Sequence, residues 1–264
     1  MLHTVILALV QSATEFLPVS SSAHLILVPR LMNWADQGLA TDVALHVGTL
    51  FAVMLYFRKD VFAMLRGAAD ILKRSFSTFE ARLVFNLCVA TVPALLFGFF
   101  FHDYIEQALR SEKVIASTAI VFGIILYVAD KKGKTAGSVE TMGIKEAFVI
   151  GLAQMLALIP GVSRSGITMT AARALGIGRE EAARFSMLLA IPTIGAAGAW
   201  AALKIITAPV AQQIDVSVIM MGMAVSFVGG ALAISFLMNW LKKSSFAIFA
   251  AYRILLGIAL FFVF

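Results

Sequence analysis

The chain has 264 residues, of which 61% are hydrophobic and only 14% charged, with a formal net charge of +6. Long apolar runs separated by short charged ones exclude a soluble globule, and their continuity, without the alternation of a spanning strand, excludes a β-barrel. The excess lysines and arginines sit in short loops and read as a topology signal rather than a nucleic-acid surface; the single cysteine, Cys88, reads as a small buried apolar residue and leaves no disulfide framework or thiolate metal site.

The first residues, "MLHTVILALV", lack the cationic segment of a removable signal peptide and are kept in the fold. They open an interrupted apolar region: "LHTVILALV" runs into the polar cluster "QSATEFLPVSSSAH" and then into "LILVPRLM". Runs long enough to cross a bilayer, which asks for about 20 apolar residues, follow at roughly 41–57, 83–101 and 114–129. A second interrupted region comes next, "AFVIGLAQMLALIP" giving way to "GVSRSG" and "ITMTAARALGIG", and then runs at 185–206, 216–241 and 246–264. "RALGIGREEAARFS" reads as a turn and a charged helix start, and Asn86 and Trp240 as packing or interface residues. Each half of an interrupted region is about half a membrane thick, so both predict re-entrant hairpins. Broken backbone at that depth is tolerated only when buried in protein or lining a wet cavity, which already points to a site.

The cations test this layout. The 58–82 loop carries Arg58, Lys59, Arg66, Lys73, Arg74 and Arg82, the 130–146 loop Lys131, Lys132, Lys134 and Lys145, and Lys242 and Lys243 precede the last run. All three places should be cytoplasmic, and the cation-poor loops near 102–113 and 207–215 should face outward. With six spans this alternation requires each hairpin to return to its own side, the first entering from outside and the second from inside, with both termini outside. Laying residues 11–23 on 154–166 pairs Gln11 with Gln154, Ser20 with Ser163, Ser21 with Arg164 and Ser22 with Ser165, the prolines one position out of step. The fold expected is therefore an all-α polytopic membrane protein, one domain of two inverted repeats, roughly 1–113 and 114–264, with about six transmembrane helices and two re-entrant hairpins meeting near the midplane.

At each break a short helix is expected to start at a serine, Ser20 or Ser163, because a serine hydroxyl accepts from the orphan N–H groups of a helix start. Two such starts, with Arg164 at the second, would attract a phosphate. Gln11 and Glu15 lie four apart on one helix face, and Ser21 and His24 three apart on the next. A carboxylate, a hydroxyl, an imidazole and an arginine are the parts needed to cleave a phosphate ester or anhydride. The plainer readings are a structural Glu15–Arg164 ion pair, a Ser21 that only caps its helix and a hydrogen-bonded core His24. His3 and His46 read as core or lining residues, and His102 as solvated in an outer loop. A transporter or flippase would use the same helix starts and arginine to bind an anionic lipid without chemistry, and a purely structural membrane protein stands third.

"QSATEFLPVSSSAH" and "PGVSRSGITMT" resemble the two signature motifs of the undecaprenyl-diphosphate phosphatase family, also called bacitracin-resistance proteins: an (E/Q)xxxE segment running into FLPVSS and a histidine, and a PGxSRSxxT segment. "FSMLLAIPTIGAA" is similar to the family's stretch after the second motif, so the resemblance spans essentially the whole chain. It implies a multi-pass protein of the bacterial cytoplasmic (inner) membrane that removes the terminal phosphate of undecaprenyl diphosphate, the lipid carrier of cell-wall peptidoglycan synthesis. It carries the catalytic roles onto Glu15, Ser21, His24 and Arg164, with Ser21, His24 or a water left open as nucleophile. Substrate binding falls on Gln11, Ser20, Ser22, Ser163, Ser165, Gly166 and Thr168. A divalent cation, Mg²⁺ or Ca²⁺, held by Glu15 is implied and no organic cofactor. Gln11 stands where many members have a second glutamate, and an amide cannot supply charge to a metal. The partners expected are the polyprenyl diphosphate and membrane lipids, with no nucleic acid and a homodimer left open.

Overall fold

A computed structural model describes residues 1–35, 38–133, 136–207 and 215–264. Lys134 and most of the 207–215 loop lie outside the described residues, as does the side chain of His102. Eleven α-helices are described: α1 (Leu2–Thr14), α2 (Ser21–Leu31), α3 (Leu39–Tyr56), α4 (Arg58–Leu72), α5 (Phe79–Ala108), α6 (Glu112–Lys132), α7 (Ile144–Met155), α8 (Arg164–Ala174), α9 (Arg179–Thr207), α10 (Val216–Leu241) and α11 (Ala247–Val263). A short 3-10 turn, Leu156–Leu158, ends the first arm of the second hairpin.

All six long apolar runs are helical, but they are not six equal spans. Four helices, α5, α6, α9 and α10, are long and apolar enough to cross a membrane by themselves. The pair α3 and α4 qualifies only together and is bent by 89° at Phe57, and α11 is apolar but has 17 residues. Two expected loops are corrected. Most of the 58–82 segment is helix α4, whose Asp60 and Gly67 face inward while its cations face out. The 102–113 loop shrinks because α5 continues to Ala108 before Ser111 caps α6 by accepting from Val114 N–H. Cys88 is exposed on α5 rather than buried, because its neighbour Leu87 takes the inward position.

The two interrupted regions fold as expected, each a pair of short helices packed on one another, α1 on α2 and α7 on α8. The first arm of each hairpin leans on a long helix of the other half, α1 on α10 and α7 on α5, while α3 packs between α9 and α10 and α6 lies along α11. The α3–α10 seam closes on a glycine: a Cβ at Gly48 would sit 2.3 Å from the Met223 carbonyl oxygen, the small-residue approach by which membrane helices gain van der Waals contact without a hydrophobic drive. One buried carboxylate ties four helices. Asp130 Oδ1 accepts from Arg173 Nε at 3.0 Å and Arg179 Nε at 2.7 Å, and Oδ2 from the Phe246 N–H at 3.1 Å.

Candidate active site

The breaks are built alike. Ser20 and Ser163 both adopt positive φ, 78° and 71°, a conformation rare for a residue with a side chain. Each then caps the helix that follows, Ser20 Oγ accepting from Ala23 N–H at 3.4 Å and Ser163 Oγ from Gly166 N–H at 3.1 Å. Each cap hydroxyl also meets a second serine at 3.2 Å, Ser22 in the first hairpin and Ser165 in the second. The N–H groups of Ser21, Ser22, Arg164 and Ser165 make no hydrogen bond among the described residues, so both helix starts keep donors for an anion.

Glu15 is where the two hairpins join. Its carboxylate is buried, and its Oε2 accepts from Ser21 Oγ at 2.6 Å and from Gln11 Nε2 at 3.0 Å. Its Oε1 faces Arg164 Nη2 at 3.3 Å, while Arg164 Nη1 donates to the Ser186 carbonyl at 3.0 Å. The backbone joins as well: Ser165 Oγ is within hydrogen-bond reach of the Glu15 carbonyl at 3.2 Å and the Leu17 carbonyl at 3.1 Å. Two buried polar atoms of this centre have no partner, Arg164 Nε and Gln11 Oε1. An unpaired buried donor is costly unless something binds it, and a guanidinium N–H beside two open helix starts matches a phosphate oxygen.

The remaining expected residues take different places. Ser22 is exposed at the mouth of the first break. Thr168 is buried behind Arg164, donating to its carbonyl at 2.8 Å and sharing a 2.7 Å contact with Ser186 Oγ. Gly166 is buried with its N–H taken by Ser163. His24 does not reach Ser21. Its Nδ1 lies 2.7 Å from the Ser20 carbonyl, which can only accept, so that nitrogen carries the proton and Nε2 is left to meet Tyr252 Oη at 2.6 Å.

Four participants were not legible as such. His46 is brought to 3.8 Å from Glu15 Oε2 with its Nδ1 held by the Asp42 carbonyl, so it joins the centre, whereas His3 is exposed and stacks on Trp34. Neither Tyr252 nor Ser186 has a sequence signal. Arg253 does: a lone cation inside the apolar "FAAYRILLGIALFFVF" is an expensive residue that needs a reason. It is fully buried, and its Nη2 donates to the carbonyls of Gly161 at 2.9 Å and Val162 at 2.8 Å, while Thr118 Oγ1 serves the Pro160 carbonyl at 2.8 Å. Side chains thereby satisfy these carbonyls of the second break, as buried broken backbone demands. Tyr252 and Arg253, neighbours on α11, so touch one break each.

The donor set does not suit a cation held by the protein. Glu15 is the one carboxylate at the centre among the described residues, its oxygens are already engaged by Arg164, Ser21 and Gln11, and among the described residues no group of three His, Cys, Asp or Glu stands ready to bind a metal. Mg²⁺ and Ca²⁺ are bound through several oxygens, carboxylates prominent among them. What the arrangement offers is a hydroxyl on a buried carboxylate, beside an arginine and two helix starts. Two grooves of about 570 and 880 Å³ open elsewhere on the molecule, and neither is lined by a residue of this centre.

The family model described as bacitracin resistance protein BacA matches residues 4–259. Among curated proteins, the chain is 48% identical over 260 residues to an undecaprenyl-diphosphatase of Alcanivorax borkumensis, covering 98% of this chain and 97% of the relative. It is 46% identical to the protein of the same name from Teredinibacter turnerae, covering 99% of this chain and 98% of the relative, and 46% identical to that of Campylobacter curvus with the same coverage.

Proposed function

The chain belongs to the bacitracin resistance protein BacA family, and from that membership and the Glu15 centre we infer an integral membrane phosphatase. It hydrolyses undecaprenyl diphosphate to the monophosphate and inorganic phosphate, recycling the lipid carrier of cell-wall synthesis. The observation that carries the site is the 2.6 Å contact between Ser21 Oγ and Glu15 Oε2 with Arg164 on the other carboxylate oxygen. Helix starts at α2 and α8 and the unpartnered Arg164 Nε hold the terminal phosphate. Ser21 Oγ attacks its phosphorus while its proton passes to Glu15, and Glu15 gives that proton to the departing lipid monophosphate. Water then attacks the phosphoseryl group, its proton passing through Glu15 to Ser21, and phosphate leaves. Arg164 and the helix starts offset the charge that gathers on the phosphoryl oxygens.

His24, with both ring nitrogens engaged, orients the first break rather than attacking. A divalent cation arrives with the diphosphate, not on a protein carboxylate cluster. The matched serine caps and the reciprocal packing of α1 on α10 and α7 on α5 support two inverted repeats within one membrane domain. The location that fits this substrate is the bacterial cytoplasmic membrane, with the lipid tail lying between helices.

Purified protein in detergent, given undecaprenyl diphosphate, should release one inorganic phosphate per lipid. Lipid translocation in sealed vesicles with no phosphate released in detergent would replace the enzyme by a flippase.

A further inference from the structure

Helix α4 carries a pattern that the catalytic site does not use. Read at helical spacing, its residues fall into three stripes. Asp60, Met64, Gly67 and Ile71 form the first; Phe62, Leu65, Ala69 and Leu72 the second; and Lys59, Arg66 and Lys73, seven apart, with Asp70 among them, the third. The first stripe and Asp70 are spent on the protein. Asp60 pairs with Arg184 of α9, and Asp70 accepts from Thr78 Oγ1 at 2.9 Å, the same threonine that caps α5. Gly67 lies so close to α5 that a Cβ there would meet the Glu80 carbonyl oxygen at 2.1 Å. These three ties fix α4 at its 89° bend from α3, so if α3 runs across the bilayer α4 runs along it.

Asp60 and Asp70 are the only acids of α4, and both are engaged by the protein, Asp60 by Arg184 and Asp70 by Thr78. The outward stripes therefore hold apolar groups and cations, with Asp70 as their one acid, tied down by Thr78 Oγ1. Phe62 and Leu65 are 60% and 63% exposed, and Leu72 and, just beyond the helix, Phe76 continue the apolar surface. Arg58, Lys59, Arg66, Lys73 and Arg74 are exposed, and none makes an ion pair among the described residues. An apolar stripe flanked by a cationic one, on a helix turned 89° from α3, has the chemistry of an element seated at the head-group boundary.

We propose that α4 is an anionic-lipid docking element: Phe62, Leu65 and Leu72 sink into the acyl region, and Lys59, Arg66 and Lys73 gather anionic head groups along the helix. Neither zwitterionic lipid nor a protein partner answers the one-sided charge as well, since each phosphodiester with a net charge meets a cation spaced two helical turns from the next.

The test places a bimane label on Phe62→Cys, in a Cys88→Ser background, with the full chain in nanodiscs containing phosphatidylcholine or phosphatidylglycerol brominated in the acyl chain. The label should be quenched by both, and mixtures should show a preference for the brominated phosphatidylglycerol of about fivefold. That preference should fall toward one in the triple variant Lys59→Gln, Arg66→Gln, Lys73→Gln. It should fall equally when salt screens the unaltered cations, a measurement that does not depend on the variant folding. A label untouched by either brominated lipid would show the face in water and overturn the proposal. So would a preference absent from the start, or one indifferent to both salt and the three substitutions.

Discussion

Glu15 and Arg164 stand 149 positions apart in the sequence and 3.3 Å apart in the fold, the carboxylate on the first break and the guanidinium on the first turn after the second. Their side chains are 6% and 13% exposed, so neither has water to fall back on. Removing one partner of such a pair leaves an uncompensated buried charge, which costs about 3–5 kcal/mol. Glu15→Gln and Arg164→Gln should each lower the melting temperature in detergent by that measure, and the double variant should lose clearly less than the sum of the two. All three should be inactive, because in the proposed mechanism the pair that holds the hairpins together also works on the phosphate. Additive losses in the double variant would mean that the two groups do not sense each other.

The Ser21–Glu15 contact sets the stereochemical course. Attack by Ser21 followed by attack of water displaces the phosphorus twice, so a substrate made chiral at the terminal phosphorus should yield phosphate with retained configuration. Inversion would assign the attack to water directly. Ser21→Ala should reduce kcat by about 10³-fold or more with KM little changed, since the hydroxyl contributes to the transition state and not to lipid binding.

Tyr252 bears on the proposed site only through His24. Its hydroxyl touches Nε2 at 2.6 Å and, among the described residues, makes no hydrogen bond to the Glu15 centre. Tyr252→Phe keeps the ring stacked on the imidazole, with centroids 5.8 Å apart, and removes one hydrogen bond worth about 1 kcal/mol. The expected loss is at most about tenfold in kcat/KM, well short of the loss in Ser21→Ala. A Tyr252→Phe variant as dead as Ser21→Ala would move His24 to the centre of the chemistry.

Gln11 offers a test of cation use. Its Nε2 donates to Glu15 at 3.0 Å, so Gln11→Glu would replace a hydrogen bond by a repulsion between two buried carboxylates. That variant should become strongly dependent on Mg²⁺ concentration, because a cation between the carboxylates relieves the repulsion, while the native chain should depend on Mg²⁺ only through the metal-to-lipid ratio. An identical Mg²⁺ profile for both would show that position 11 lies outside the electrostatics of the centre.

Much of this centre was legible before the fold. The serine caps, the Gln11–Glu15 face and the convergence of "TEFLPVSSSAH" with "PGVSRSG" follow from local rules of helix starts and from the cost of polar groups in oil, and the structure has each of them. His24 illustrates the limit. Spacing put it on the face of Ser21, but its ring is drawn away by the carbonyl one turn back and by a tyrosine 228 positions later. His46 and Tyr252 are brought in by packing between distant helices, which no periodicity announces. Helix α4 reads as a loop in the sequence because charges interrupt its apolar residues well short of a spanning length; what fixes it as a helix is its ties to α5 and α9. The six apolar runs are all helices, but length and composition qualify only four of them alone as spans, since α3 qualifies only with α4 and α11 has 17 residues.

The most direct measurement is phosphate release from undecaprenyl diphosphate by purified wild-type, Ser21→Ala and Arg164→Ala chains in detergent, each shown to be folded by its elution and helicity. Stoichiometric release is expected from the wild type and a loss of about 10³-fold or more from both variants. Wild-type turnover by either variant would contradict the proposed roles of Ser21 and Arg164.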